Sequence, residues 1–194
     1  DLEASPQQMA YIDGKYVLSF AGYNDSNPYQ LRLFDTLSAP CGDAFPFEFT
    51  IPCMAGHVSP AKNGSVLFCR NLCDTIYRIQ DNFIEAIYTL GWYSNEIVSD
   101  IYNKMCNSGI NEYYEYINSD QFPGIMYVKI CELGNGLMID FNKNPLQSYV
   151  SFADINGDNV RTYTKYDGLG NEYCLPFLTL ANDNDNLYGC NIQM

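Results

Sequence analysis

The sequence predicts an all-β chain of repeated β-hairpin units, read as blades of a β-propeller, with one short helical insertion. Three observations carry this. Short apolar runs alternate with clusters of Gly, Asn, Asp and Pro along nearly the whole chain, which is the pattern of strands joined by turns. A hairpin motif recurs, and the second strands of its first two copies start 44 residues apart, at Gln30 and Asp74. A four-stranded blade takes about 40–50 residues, so this spacing fits one blade per copy. The 17 Tyr and 11 Phe favour pleated, half-buried surfaces.

The first copy runs through 14–20, turns at 24–28 and continues through 29–35. The second runs through 63–69, turns at 70–73 and continues through 74–79. The third occupies 124–130, turns at 134–136 and continues through 137–141. A fourth begins at 177–180, turns at 182–186 and stops at 187–190. Segments 47–51, 86–90 and 149–152 are read as the outer and inner strands that complete the blades.

Between copies two and three the spacing stretches to 63, from Asp74 to Leu137, which marks an insertion. Ser94 is placed to cap a helix over 95–105, with Ile97, Ile101 and Met105 on one face at i, i+4 and i+8. A second short helix is predicted over 110–117. Residues 1–194 therefore read as a single propeller-like domain of three blades and part of a fourth, with a helical insertion at 94–120.

Ten basic residues against 23 acidic ones give a formal net charge of −13. Nucleic acid needs a cationic footprint, and no Lys or Arg cluster supplies one, so polyanionic partners and anionic membrane surfaces are excluded. No apolar stretch is long enough to span a membrane. The chain opens on Asp1 rather than Met, which reads as a processed chain or a fragment.

Eight cysteines stand at 41, 53, 69, 73, 106, 131, 174 and 190. Cys69 and Cys131 lie inside apolar strand runs and read as small buried hydrophobes. The Cys69-x3-Cys73 pair flanks a hairpin turn and is the one pair spaced for a local bridge. Zinc would want CxxC or Cys/His knuckles, and the sequence has none.

Asp74-Thr75-Ile76-Tyr77-Arg78-Ile79, followed by Ile87-Tyr88-Thr89-Leu90-Gly91, resembles the "DTIYRI … YxxxFG" hairpin of the Bacteroides-type six-bladed β-propeller lipoproteins. Upstream, the run from Met9 to Ser19 resembles the preceding blade of that family, and the helical excursion after Gly91 matches as well. The resemblance implies an exported, envelope-associated propeller and carries no catalytic residue over to this chain. A complete ring of this kind needs about 270 residues. An open partial propeller leaves strand edges unpaired, so either blades are missing from this stretch or two chains associate edge to edge.

Candidate chemistry is sparse. His57, the single histidine, follows Cys53 by four residues and reads as a turn histidine beside a core cysteine rather than as half of a nucleophilic pair. Asp35, Glu85, Glu96, Glu132 and Asp140 are scattered, with no motif gathering two carboxylates on one sugar. The Asp154–Asn159 segment looks like a calcium loop, but position 12 is Lys165 where an EF-hand needs Glu, and its Asn-Gly step reads as a hairpin turn. No catalytic residue, metal site or cofactor is assigned; adventitious calcium on a propeller axis is left open.

Trp92, Tyr93, Tyr113, Tyr114 and Tyr116 cluster in or beside the insertion. Exposed aromatics on a loop platform stack on sugar rings or anchor a protein partner, and buried ones pack an insertion onto its scaffold. The sequence thus points to a non-enzymatic binding or scaffold protein with a protein or glycan ligand at these aromatics, and the resemblance implies that it belongs to the bacterial cell envelope. The alternative is a propeller hydrolase or lyase acting on carbohydrate or lactone substrates. A third expectation is a homodimer of two half-propellers closing one ring.

Overall fold

A computed structural model describes residues 6–22, 25–47, 56–70, 73–80, 83–92, 94–125, 127–144, 147–164, 177–182 and 187–191. Strands β1 (Gln8–Ile12), β2 (Lys15–Ser19), β3 (Tyr29–Asp35) and β4 (Pro40–Pro46) form an antiparallel meander in chain order. Strands β5 (His57–Ala61), β6 (Ser65–Cys69), β7 (Thr75–Gln80) and β8 (Phe83–Thr89) repeat it. So do β9 (Tyr127–Leu133), β10 (Gly136–Asn144), β11 (Gln147–Asp154) and β12 (Arg161–Thr164). A two-stranded hairpin, β13 (Phe177–Asn182) with β14 (Leu187–Asn191), follows. Helices α1 (Asn95–Asn107) and α2 (Ile110–Ile117) lie between β8 and β9. The three sheets are propeller blades with their first strands adjacent, β1 beside β5 and β5 beside β9.

Side-chain alternation along each strand makes both faces of a blade apolar. Ala10, Ile12, Val17, Leu31 and Leu33 from the first sheet meet Val58, Val66, Phe68 and Ile79 from the second. The opposite face of the second sheet offers Leu67, Cys69 and Ile76 to Ile130, Ile139 and Phe141 of the third. Burying each such aliphatic or aromatic side chain contributes about 1.5–3 kcal/mol, so the blades are held together by these two seams.

Turn chemistry fixes the registers locally. Asp13 and Gly14 join β1 to β2 with φ of 42° and 78°, the two positive angles that a two-residue hairpin needs and that Asp-Gly supplies at little cost. The Asp154–Asn159 segment is the β11–β12 turn: the Gly157 amide donates to the Asp154 carbonyl at 2.8 Å, and Gly157 has φ of 82°. The Asp154 carboxylate accepts from the Asn159 amide at 2.5 Å, so the hairpin reading of this segment holds.

Several strand boundaries differ from expectation. Copies one and two are the second and third strands of their blades, whereas the third copy is β9 with β10, the first and second strands. The equivalent hairpin of the third blade is β10 with β11. The local pattern shows a hairpin but not its place in a four-strand meander, which caused the slip. The run from Met9 to Ser19 is β1 and β2 of the first sheet, the blade that precedes the one carrying Thr75–Ile79 in β7, as the resemblance implied. The outer strand of the first blade is β4 at Pro40–Pro46 rather than 47–51, and 48–51 lie outside the described residues. Segment 86–90 falls largely within β8 and 149–152 within β11. The predicted turn at 183–186 also lies outside the described residues.

Candidate functional site

Antiparallel pairing sorts the loops to two ends of the blades. Gln8 pairs with Ser19 and Ser19 with Leu31, so the start of β1, the end of β2 and the start of β3 share one end. His57, Cys69 and Ile76 are related in the same way in the second blade. Two hydrogen bonds tie the blades there: Ser19 Oγ donates to the Gly56 carbonyl at 2.8 Å, and the Val58 amide donates to Gln8 Oε1 at 3.1 Å. The connection from β8 to β9 also crosses this end, and it carries both helices.

Ser94 caps α1 by accepting the Ile97 amide on Oγ at 3.3 Å. The helical pair has a small core of its own in Ile101, Tyr113, Ile117 and Phe122, with Ile97, Tyr102 and Tyr116 against it. Gly124 lets the chain leave this core tightly, because a Cβ there would lie 2.5 Å from the Phe122 ring. The side chain of Met105, expected on the inner face of α1, lies outside those described.

The sequence-predicted aromatics separate into two groups. Trp92 belongs to the seam between the second and third blades, its ring 4.8 Å from Phe141, which stacks on Tyr149 at 5.3 Å. Tyr113 is buried in the helical core, so its ring packs the insertion instead of being displayed. Tyr116 is half-buried, edge-on to Phe122 at 5.4 Å and under the Lys104 ammonium at 4.6 Å. Burial, then the Asp100 charge, pushes its phenol up from the ordinary value. Tyr114, 46% exposed with its ring 5.7 Å from Tyr113, faces solvent. Tyr93 lies outside the described residues.

The opposite end of the seam holds the densest polar group. Glu132 on β9 is buried, pairs with Arg78 of β7 in the neighbouring blade, and accepts the Lys62 amide at 3.0 Å. Burial and the Glu132 charge push the Tyr88 phenol up, and the Arg78 guanidinium opposes them. Ser59 hydrogen-bonds the Ile130 carbonyl across the same seam.

His57 is the first residue of β5 and not a turn residue. Its Nδ1 is buried without a hydrogen-bond partner, and burial with the nearby Lys129 charge pushes its pKa down to about 3. Cys53 lies outside the described residues. Cys69 and Cys131 are buried free thiols; burial raises both, Cys131 to about 11, so neither is a thiolate at neutral pH. Cys73 is also free, and Cys69 Sγ donates to its carbonyl at 3.7 Å. Among the described residues no group of His, Cys, Asp and Glu could hold a metal, and no helix is long and apolar enough to cross a membrane.

Residues 1–185 match a family model described as a 6-bladed β-propeller. The chain belongs to this family. A crystal structure from Bacteroides fragilis, of a protein assigned by name to the exported class, superposes on this propeller with a TM-score of 0.62 and 20% identity. The match covers 84% of this chain and 47% of that one, and it shows the fold alone. Virginiamycin B lyase from Staphylococcus aureus matches with a TM-score of 0.41 and 14% identity, over 82% of this chain and 41% of that one, too slight a likeness to argue from. The propeller thus spans less than half the length of either solved chain. None of the curated proteins matches it.

Of the scattered carboxylates, the propeller buries Glu132 and Asp140, leaves Glu85 and Glu96 exposed, and uses Asp35 to accept the Leu37 and Ala39 amides in the β3–β4 turn. Sequence reasoning missed the Arg78–Glu132 pair. The available signal was Glu132 beside Cys131 and Ile130 in the strand-like run 128–133, since a carboxylate buried there needs a partner.

Proposed function

We propose that this chain belongs to an exported, envelope-associated binding or scaffold protein, with a glycan or protein ligand met by the helical insertion at 94–120. The observation that carries this reading is Tyr114, an exposed aromatic on α2 supported from behind by the buried Tyr113. A rigid ring on a pre-packed support loses little conformational freedom when a ligand stacks on it. The half-buried Tyr116 lies on the same helix and Tyr113 acts as the support, while Trp92 packs in the blade seam. The exported class of the Bacteroides fragilis neighbour supports the location.

The alternative, a propeller hydrolase or lyase acting on carbohydrate or lactone, needs carboxylates or a metal free to face a substrate. Glu132 instead accepts bonds from Arg78 and the Lys62 amide.

An array of bacterial-envelope glycans probed with the whole protein tests the reading, since sugar rings are the ligand class best matched to a single exposed tyrosine. Wild-type protein is expected to retain a glycan unchanged, Tyr114→Ser to lose affinity by roughly tenfold, and Glu85→Gln to bind as wild type. Wild-type affinity in Tyr114→Ser, or chemical conversion of the retained glycan, would overturn it.

A further inference from the structure

Counting back from the first hairpin turn of each blade superimposes the innermost strands. Ile12 pairs with Lys15, Ala61 with Ser65 and Leu133 with Gly136 just before these turns, and four residues earlier stand Gln8, His57 and Lys129. Strands β1, β5 and β9 are neighbours, and they begin at the end of the blades that carries the helices. In the first blade this position ties two strands together, since Gln8 Oε1 accepts the Val58 amide of β5. The matching bond, from the Ile130 amide to His57, is not made: His57 Nδ1 is buried without a hydrogen-bond partner. Across the next seam Ser59 meets the Ile130 carbonyl and the Lys62 amide meets the Glu132 carboxylate, so β5 and β9 run in the same direction with His57 beside 128–129. Lys129 is half-buried and forms no ion pair with a described residue, Asp140 opposite it on β10 included. A position that is structural in the first blade is thus unspent in the second and third.

We propose that His57 and Lys129 form a binding site for a carboxylate monoanion where the first strands of the second and third blades begin. At neutral pH the imidazole is uncharged, because burial and the Lys129 charge push its pKa down to about 3. It therefore offers one N–H, and the Lys129 ammonium supplies the charge. Two donors on adjacent strands match the two oxygens of a carboxylate, and hydrogen bonds of this charge-assisted kind are the strong ones. One ammonium balances one negative charge, and a chain of net charge −13 disfavours a dianion. A metal ion does not fit, because Lys129 repels it and among the described residues no group of His, Cys, Asp and Glu gathers to hold one. His57 as a whole is only half-buried, so a ligand reaches the ring, and a half-turn about Cβ–Cγ exchanges the edges it presents. A bound carboxylate also gives a partner to a buried nitrogen of the kind that folded proteins rarely leave unpaired.

His57 is the single histidine, so its imidazole reports on the site without a label elsewhere. Acetate is titrated into the whole protein at pH 7, replacing chloride at constant ionic strength, and the imidazole nitrogens are followed by NMR. Their shift is expected to saturate in the wild type, and Lys129→Gln to bind acetate roughly tenfold more weakly. No shift, a shift that grows linearly without saturating, or saturation at the same acetate concentration in Lys129→Gln would each rule the site out. The methyl glycoside of glucuronic acid replaces acetate in a second arm. Tighter binding than acetate assigns the carboxylate to an acidic sugar, and equal or weaker binding assigns it to a free acid. Tyr114→Ser should bind acetate as the wild type does, so failure of the glycan reading at the insertion leaves this site standing.

Discussion

The Glu132 side chain is buried, and the Arg78 guanidinium and the Lys62 amide of the neighbouring blade both meet its carboxylate. The two partners are unequal, because the Arg78 side chain keeps 32% of its surface in water. Replacing Arg78 with Met strands a buried carboxylate, which should cost about 3 kcal/mol at pH 7. Replacing Glu132 with Gln keeps an acceptor for the Lys62 amide and leaves Arg78 partly solvated, and should cost about 1 kcal/mol. The reverse ranking would contradict this account of the pair. His57 gives a pH signature. Its folded pKa of about 3 lies below the 6.5 of an exposed histidine, so between these values the unfolded chain binds a proton that the folded chain refuses. Its contribution is therefore full above pH 6.5 and is lost as pH falls towards 3. Wild type should lose more unfolding free energy between pH 7 and pH 4.5 than His57→Asn; equal losses would show that His57 does not titrate this way.

At the scale of elements, the helical pair is the part the sequence wrote most plainly. Ser94, the Ile97/Ile101 spacing and the break at Ser108-Gly109 are local signals, and the cap and both helices follow from them. Ser94→Ala removes the acceptor for the Ile97 amide and should cost the insertion about 1 kcal/mol. The loss should appear as faster amide exchange confined to 95–117, and exchange spreading into β5–β8 would mean the pair is not a separate unit. Hairpins were equally legible, because Gly and Asn punctuate them. What the sequence did not show was which hairpin within a blade was being read. The run through 124–141 has the same alternation as any other pair of adjacent strands, so the meander could be entered at the wrong strand. The candidate site suffered more. Tyr113, Tyr114 and Tyr116 are close in sequence, yet a single residue step, about 100° around the helix axis, sends the first into the core and the second to solvent. Composition marks an aromatic cluster, whereas only the helix phase, set by what α1 packs against, decides which ring is displayed.

The whole molecule is an array of sheets joined by apolar seams, and the spread of a local lesion is governed by which seam it touches. Phe68 belongs to the seam between the first and second blades, fully buried with the Phe45 ring 5.1 Å away. Phe68→Ala removes this ring from a close-packed interface and should cost about 3–5 kcal/mol. The first and second sheets meet through Ala10, Ile12, Val17, Leu31 and Leu33 on one side and Val58, Val66 and Ile79 on the other, so the cavity weakens both. The third sheet meets the second through different side chains, on the opposite face of β6 and β7. If blades couple mainly to their nearest neighbours, as in other repeat architectures, Phe68→Ala should accelerate amide exchange in β1–β3 and β5–β7 while β9–β11 stay closer to wild type. Acceleration in β5–β8 alone would make the blade the cooperative unit. Uniform acceleration through all three sheets would make the whole array of sheets the cooperative unit.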